Sequence, residues 1–122
     1  MARVKPYNQY QFQLALNGAI DNLIIERQAL PEGSYRDIYI TEIAKYFNID
    51  VATLRRWCAE YCQKSPKEYL ARYRISLAKQ KLRQGIKSSV VAKELAFTEH
   101  KIFCSVFKRY ENQTPSKLSQ AC

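Results

Sequence analysis

Two pairs of side chains in this 122-residue sequence have the types and spacing of metal ligands. Cys58 and Cys62 lie four residues apart, as do His100 and Cys104, and residues four apart share one face of a helix. Zinc is bound by such thiolates and imidazoles. The apolar spacing, however, predicts that the cysteine pair is buried in one helix, whereas the other pair lies on the exposed side of a second helix. We therefore expect no metal site and no cofactor.

The sequence offers little for catalysis. His100 is its one histidine, and no nucleophile with a neighbouring base and orienting group is apparent. Three glycines do not supply a glycine-rich phosphate loop. We expect that the chain is not an enzyme.

Positive charge is concentrated in one part of the chain. The sequence holds 20 Lys and Arg against 11 Asp and Glu, a net charge of +9. Residues 1–38 carry four basic and four acidic groups, so the whole excess lies in residues 39–122, with 16 basic and seven acidic groups. A localised positive field attracts polyanions, of which nucleic acid is the commonest. The alternative is a basic surface without a specific partner.

The remaining composition indicates a cytoplasmic protein with a packed core. Hydrophobic residues make up 47% of the sequence, but no apolar run approaches the ~20 residues that span a membrane. Residues 1–6 have no apolar segment of a secretory signal. The four cysteines do not form the dense framework of a disulfide-rich secreted protein.

Apolar residues at helical spacing predict about seven helices, the first over residues 9–30. Residues 31–34 interrupt it, and residues 35–39 form a connector. A long helix is predicted over residues 66–84, because proline suits the first helical position and Gly85 favours a stop. Side-chain oxygens at helix starts accept hydrogen bonds from first-turn amides. The candidate N-caps are Thr41, Asp50, Ser65, Ser88 or Ser89, Thr98 and Thr114.

An internal repeat organises the basic part of the chain. Each copy is a helix, a tight turn, a second helix and a Ser/Thr-Pro helix start, which is the order of a helix-turn-helix unit. At an offset of 48 the matches are Ala44-Lys45 with Ala92-Lys93 and Asp50 with Thr98; at 49 they are Leu54 with Phe103, Tyr61 with Tyr110, and Ser65-Pro66 with Thr114-Pro115. We predict an all-α protein with two helix-turn-helix lobes joined by a long central helix. The expected division is an N-terminal helix and connector over residues 1–38, a first lobe over 39–65, a linker helix over 66–85, and a second lobe with a tail over 86–122.

The repeat resembles the AraC/XylS family of bacterial regulators over residues 39–118, and the length is similar to its stand-alone MarA/SoxS-type members. The most specific match is Phe-x-x-x-Phe-Lys-x-Tyr at residues 103–110, with Thr-Pro four residues later. The other matching segments are residues 40–45, 54–56, 65–70, 73–78, 91–92 and 114–118. The resemblance implies seven helices and a transcription regulator that binds double-stranded DNA. In that family the second helix of each lobe enters the major groove, roughly 34 Å apart. It also implies a monomer on an asymmetric site and contact with RNA polymerase.

The sequence departs from the family pattern at the two turns. Asn48 and Ala96 stand where the family commonly has glycine. A left-handed alanine costs about 1 kcal/mol, so we expect the second turn to differ in shape. Ala52 stands where some members have a large base-contacting side chain.

The exposed faces of the second helices supply the candidate DNA contacts. An arginine such as Arg55 or Arg56 can bond a guanine edge bidentately, for about 1–3 kcal/mol of discrimination; both could instead contact only phosphate. Glu99 could accept from a cytosine amine or cap its helix, and His100 contacts base or phosphate or is solvated. The base-contact candidates are Ala52, Thr53, Arg55, Arg56, Glu99, His100, Lys101, Cys104 and Ser105. The phosphate candidates are Thr41, Lys64, Lys87, Lys108, Arg109, Thr114 and Lys117.

Several residues are assigned to the core instead. Arg74 is predicted to be structural. The core of the second recognition helix is predicted at Ile102, Phe103, Val106 and Phe107. Tyrosines at core spacing, Tyr61, Tyr69, Tyr73 and Tyr110, argue against single-strand stacking platforms. The alternative function is a helix-turn-helix scaffold that binds a partner protein; the neutral N-terminal helix leaves that role, or a dimer, open.

Overall fold

The computed structural model describes residues 8–31 and 37–120. Within these ranges the chain is all-α, without a strand, as predicted. The helices are α1 (Gln9–Gln28), α2 (Ile40–Tyr46), α3 (Val51–Cys62), α4 (Pro66–Arg83), α5 (Ser88–Glu94), α6 (His100–Glu111) and α7 (Pro115–Gln120). Most of the predicted break and connector, residues 32–36, lies outside the described residues. No helix of the described ranges is both long and apolar enough to cross a membrane.

Helix α1 forms where its apolar periodicity predicts it. Asn8 caps its start by accepting a hydrogen bond from the backbone N–H of Gln11 at 2.8 Å. Phe12, Leu16 and Ile20 follow at four-residue spacing and are buried. The helix therefore presents one continuous apolar face to the rest of the molecule.

The first helix-turn-helix unit consists of α2 and α3. The turn between them contains Asn48 in the left-handed conformation (φ 59°), and the N–H of Ile49 bonds the carbonyl of Ala44 at 3.2 Å. Asp50 then caps α3 by accepting from the N–H of Thr53 at 2.8 Å. The short polar side chain of asparagine tolerates this conformation, so the turn closes tightly.

Helix α2 starts two residues earlier than the predicted cap allows. Tyr39 occupies the N-cap position, and its N–H donates to the carboxylate of Glu42 at 2.9 Å. Arg27 of α1 pairs with that same carboxylate. Because Glu42 is held from α1 and takes the N-cap amide, Thr41 lies in the first turn of the helix and is not its cap.

The second unit, α5 and α6, repeats the turn of the first. Ala96 is left-handed (φ 65°), and the N–H of Phe97 bonds the carbonyl of Ala92 at 3.0 Å. The expected difference in shape was wrong. Ala96 is 8% exposed and its carbonyl accepts from Arg74 at 3.3 Å. The buried position and the hydrogen bond from Arg74 hold Ala96 in this conformation.

Two cap predictions in the second unit were also wrong. Helix α5 begins at Ser88, with Lys87 at the N-cap, and α6 begins at His100, with Glu99 at the N-cap. Neither Ser88 nor Ser89 caps α5, and Thr98 does not cap α6. Ser88 instead places its hydroxyl 2.9 Å from His100 Nε2.

Helix α4 joins the two units. Ser65 caps it by accepting from the N–H of Glu68 at 3.1 Å, Pro66 takes the first position, and Gly85 (φ 87°) follows its end. The helix packs against α3, α5, α6 and α7. It therefore carries the relative placement of α3 and α6.

A continuous core runs through both units and α1. In the first unit Phe12 of α1 packs edge-on against Trp57 at 6.2 Å between ring centroids; in the second, Phe103 and Phe107 are fully buried.

Helix α1 contacts α2, α3 and α5. Two hydrogen bonds fix it to α4: Tyr69 donates to Asn17 at 2.6 Å and Tyr73 donates to Asp21 at 2.8 Å. Gln28 also donates to the carbonyl of Glu94. The division into residues 1–38, 39–65, 66–85 and 86–122 stays a prediction.

Candidate functional site

Helix α3 presents an exposed basic face. Leu54, Trp57 and Cys58 are buried beneath it, while Arg55 and Arg56 are exposed. Arg56 Nη2 donates to Thr53 Oγ1 at 3.2 Å, and Arg55 makes no hydrogen bond or ion pair with the described residues. Ala52 is exposed on the same helix. The face therefore holds two guanidinium groups next to a small residue that leaves room for a partner.

Thr53 does not lie on the exposed face to which the sequence analysis assigned it. It is 3% exposed, because it lies one turn before Trp57 at the edge of the buried face. Its hydroxyl accepts the hydrogen bond from Arg56 and its N–H donates to Asp50. Thr53 is thus placed to orient Arg56, and its predicted exposure was wrong.

Helix α6 presents the corresponding face in the second unit. Glu99, His100, Lys101 and Ser105 are exposed, and Cys104 is half-buried. His100 Nε2 lies 2.9 Å from Ser88 Oγ and 3.4 Å from Cys104 Sγ. The imidazole therefore ties the start of α6 to the start of α5.

Ile102 departs from its predicted place in the core of α6. It is 38% exposed, whereas Phe103 and Phe107 are fully buried and Val106 is half-buried. Ile102 and Val106 line a cleft between α6 and the first turns of α4. The physical reason is that α4 leaves this side of α6 open.

Burial disfavours the ionised form of the three thiols that the structure describes. Burial raises the pKa of Cys58 to about 12, and burial also raises the pKa values of Cys62 and Cys104. Cys58 and Cys62 are buried, as predicted. Within the described ranges, no three His, Cys, Asp or Glu side chains lie together as a metal-binding group.

The predicted phosphate contacts lie at the ends of helices. Lys87 precedes α5, Lys108 and Arg109 lie in the last turn of α6, and Lys117 lies in α7. Lys64 is half-buried and its ammonium donates to the carbonyl of Cys62 at 3.4 Å. Thr41, Lys87, Lys108, Arg109, Thr114 and Lys117 are exposed.

Arg74 holds the turn that positions α6. It is 7% exposed, and its Nη1 donates to the carbonyls of Leu95 at 3.4 Å and Ala96 at 3.3 Å. Its guanidinium also lies over the ring of Phe97, 4.1 Å from the centroid. The structural role predicted for Arg74 fits its burial. The sequence analysis missed the hydrogen bonds from Arg74 to the second turn, because they join residues that are separated by 21 and 22 positions in the sequence.

A family model for a helix-turn-helix domain matches residues 43–121. This range contains both tight turns and all of α3 to α7. The chain belongs to the AraC-type helix-turn-helix family. The resemblance predicted from the sequence is confirmed.

Solved structures share the fold of this AraC-type domain. An AraC-type transcriptional regulator from Chromobacterium violaceum is 20% identical with a TM-score of 0.67, over 88% of this chain and 91% of that one. A DNA-binding transcriptional dual regulator from Escherichia coli K-12 is 18% identical with a TM-score of 0.71, over 98% and 96%. The C-terminal domain of a two-component response regulator from Fusobacterium nucleatum is 22% identical with a TM-score of 0.64, over 82% and 93%. No curated protein sequence is significantly similar.

Proposed function

We propose that this AraC-type domain is a sequence-specific regulator of transcription that inserts α3 and α6 into adjacent major-groove segments of duplex DNA. The observation that carries the proposal is the repetition of one turn geometry, at Asn48 and at Ala96, each followed by a helix with an exposed polar face. A second helix of such a unit fits the major groove. The proposed activity is binding, without catalysis.

Base recognition is assigned to the exposed faces of both helices. Arg55 and Arg56 supply donors that suit guanine, and the hydrogen bond from Arg56 to Thr53 limits the freedom of that guanidinium. On α6 the exposed polar groups are those of His100, Lys101 and Ser105. Because the two faces differ in chemistry, the two DNA segments are expected to differ in sequence.

Phosphate contacts are assigned to charges beside these faces. Exposed Lys87, Lys108, Arg109 and Lys117 lie at helix ends in the second unit, and the net charge of +9 supplies the general attraction to DNA. Phosphate contacts fix the register of a protein on the duplex but carry no sequence information directly.

Selection of bound duplexes from a random pool tests the proposal. We expect two enriched blocks about one helical turn apart. In Arg55→Ala/Arg56→Ala one block loses its preference, which identifies the block that α3 reads. Arg83→Ala/Lys93→Ala removes the same charge from two exposed positions elsewhere and keeps both blocks. Weak binding without an enriched sequence, equal in all three proteins, would sink the proposal.

One chain per DNA site is part of the proposal. Both recognition helices belong to the same chain, so a single copy fills both segments of an asymmetric site. Sedimentation of the chain with a labelled duplex is expected to give a 1:1 complex, and a 2:1 complex would indicate a dimer. RNA polymerase in the bacterial cytoplasm is the protein partner that the family resemblance implies.

A protein-interaction module is the second candidate function. Its supporting observation is three exposed apolar side chains on α1, Tyr10 (72%), Leu14 (54%) and Ile25 (61%). Exposed apolar groups on one surface can mark a protein contact. Binding of a protein partner through α1, together with a failed DNA selection, would favour this function.

A further inference from the structure

Ile102 is an aliphatic side chain exposed on α6, the helix proposed to enter the major groove in the second unit. It is 38% exposed, and α6 begins two residues before it, at His100. Among the residues of α3 and α6, all of which the structure describes, no other large apolar side chain is exposed. The N-terminal residues of a recognition helix are the ones that contact base edges. Ile102 therefore lies in the part of α6 from which side chains contact bases.

The internal repeat gives Ile102 a counterpart in the first unit. At the offset of 49 that aligns α3 with α6, Thr53 corresponds to Ile102 and Arg56 corresponds to Ser105. In α3 these positions form a polar pair, since Arg56 Nη2 donates to Thr53 Oγ1 at 3.2 Å. In α6 they hold an aliphatic side chain and a short hydroxyl side chain, both exposed. The two recognition helices therefore differ in chemistry at equivalent positions.

The surroundings of Ile102 favour an apolar contact. Val106 follows it by one helical turn, is half-buried, and lines the same cleft beside α4. The two side chains therefore form one apolar wall along α6. In the major groove, the C5-methyl group of thymine is the apolar feature that distinguishes a T·A pair. Contact between that methyl group and an aliphatic side chain removes apolar surface of both from water.

We propose that Ile102 reads the C5-methyl group of a thymine in the DNA block that α6 contacts. The inference rests on the DNA binding proposed above and assigns one base of the site. Cytosine at that position lacks the methyl group and presents an amine, with which an aliphatic side chain forms no hydrogen bond. The equivalent surface of α3 carries the guanidinium of Arg56, which suits guanine, so the thymine requirement belongs to the α6 block.

Uracil substitution tests this contact, because uracil pairs as thymine does and lacks only the C5-methyl group. The duplex is one selected from the random pool, and the α6 block is the one whose preference survives in Arg55→Ala/Arg56→Ala. Each thymine of that block is replaced singly by deoxyuridine, and the affinity is measured by fluorescence anisotropy at fixed salt. At one position we expect binding to weaken roughly fourfold, the effect of one buried methyl group. A block without thymine, or equal affinity for the parent duplex and every substituted duplex, would overturn the proposal.

A pair of matched variants assigns the methyl contact to Ile102. Ile102→Ala should bind the thymine and uracil duplexes within about twofold of each other, because the two changes remove the same contact. Val90→Ala truncates an exposed aliphatic side chain of α5 (42% exposed) and should keep the difference that the parent chain shows. Both positions are exposed, so both variants are expected to keep the helical circular dichroism of the parent. An undiminished difference in Ile102→Ala would show that another side chain reads the methyl group, against the proposal.

The outcomes separate this inference from the proposed function. A selection that enriches no sequence would overturn both. Enriched blocks without a uracil effect would overturn the role of Ile102 alone and leave the proposed function standing.

Discussion

Ala96 occupies a backbone conformation that most residues avoid. Its φ of 65° matches the 59° of Asn48 in the first turn, although asparagine tolerates this region and alanine does not. A residue with a Cβ pays about 1–2 kcal/mol there, whereas glycine adopts it readily. Local strain is therefore present in the second turn and nearly absent from the first.

Replacing Ala96 with glycine should stabilise the protein by roughly 0.5–1 kcal/mol. Relief of the left-handed cost outweighs the extra freedom that glycine gives the unfolded chain. Urea unfolding followed by circular dichroism measures the change. Asn48→Gly is the control and should change stability little. A net loss of stability in Ala96→Gly would contradict the assignment of strain to this residue.

Cys58 links stability to pH. Burial raises the pKa of its thiol from 9.0 to about 12, so the native state keeps a proton that the unfolded chain releases as the pH rises through about 9. This contribution to stability is fully present below pH 9 and is lost between pH 9 and 12. The loss of unfolding free energy is at most about 1.4 kcal/mol per pH unit.

Urea unfolding at about pH 8 and about pH 11 measures this dependence. The parent chain should lose more stability over that interval than Cys58→Ala, which has no thiol to titrate. Tyr69, whose pKa burial raises to about 12, titrates in both chains; Cys58 also raises that pKa, so its removal widens the difference between the two chains. The same decline in both proteins would show that Cys58 is not the group responsible.

At the scale of the helices, the residue at which a helix begins could be predicted where it depends on neighbours in the sequence. It could not be predicted where it depends on contacts with residues distant in the sequence. Asp50 and Ser65 cap α3 and α4 as predicted, since cap and amide lie three residues apart. Helix α2 starts at another residue, because Arg27 of α1 holds the carboxylate of Glu42. No local pattern contains that contact.

A matched pair of serines tests this distinction. Ser65→Ala removes a cap hydrogen bond from α4 and should cost about 1 kcal/mol of unfolding free energy. Ser89→Ala lies in the first turn of α5, does not remove a cap, and should cost less than about 0.5 kcal/mol. Urea unfolding of the two variants compares them directly. An equal loss would show that the cap of α4 is not what Ser65 contributes.

The candidate site was predictable to a similar extent. Helical periodicity correctly assigned Leu54 and Phe103 to the core, and it correctly left Arg55 and Lys101 exposed. It failed at Thr53, which lies at the edge of the buried face, one turn before Trp57, and was assigned to the exposed side. The prediction also failed at Ile102, which was assigned to the core but is exposed because α4 leaves it uncovered. The DNA contacts themselves stay predictions.

For the whole molecule, the charge distribution predicts how DNA binding responds to salt. If about six side chains contact phosphate, the logarithm of the binding constant should fall with the logarithm of salt concentration with a slope near −5. Lys108→Ala should make that slope shallower by about 0.9 while the selected sequence stays the same. Fluorescence anisotropy over a salt series measures this.

Two comparisons make the salt experiment decisive. Lys93→Ala removes an equal charge from an exposed position on α5 outside the predicted contacts, and its slope should match the parent. Arg55→Ala/Arg56→Ala should lose preference among sequences, whereas Lys108→Ala should weaken binding to all of them alike. An unchanged slope in Lys108→Ala would remove Lys108 from the phosphate contacts.

The long sequence separations at α1 have a consequence during synthesis. Tyr69 and Tyr73 follow their α1 partners by 52 residues, and Glu94 follows Gln28 by 66. At about 5–20 residues per second, the longer interval lasts roughly 3–13 s on the ribosome. Throughout that time the apolar face of α1 lacks part of the core that it packs against in the folded protein. Helix α1 therefore leaves the ribosome several seconds before the residues of α4 and α5 that bond it in the folded protein.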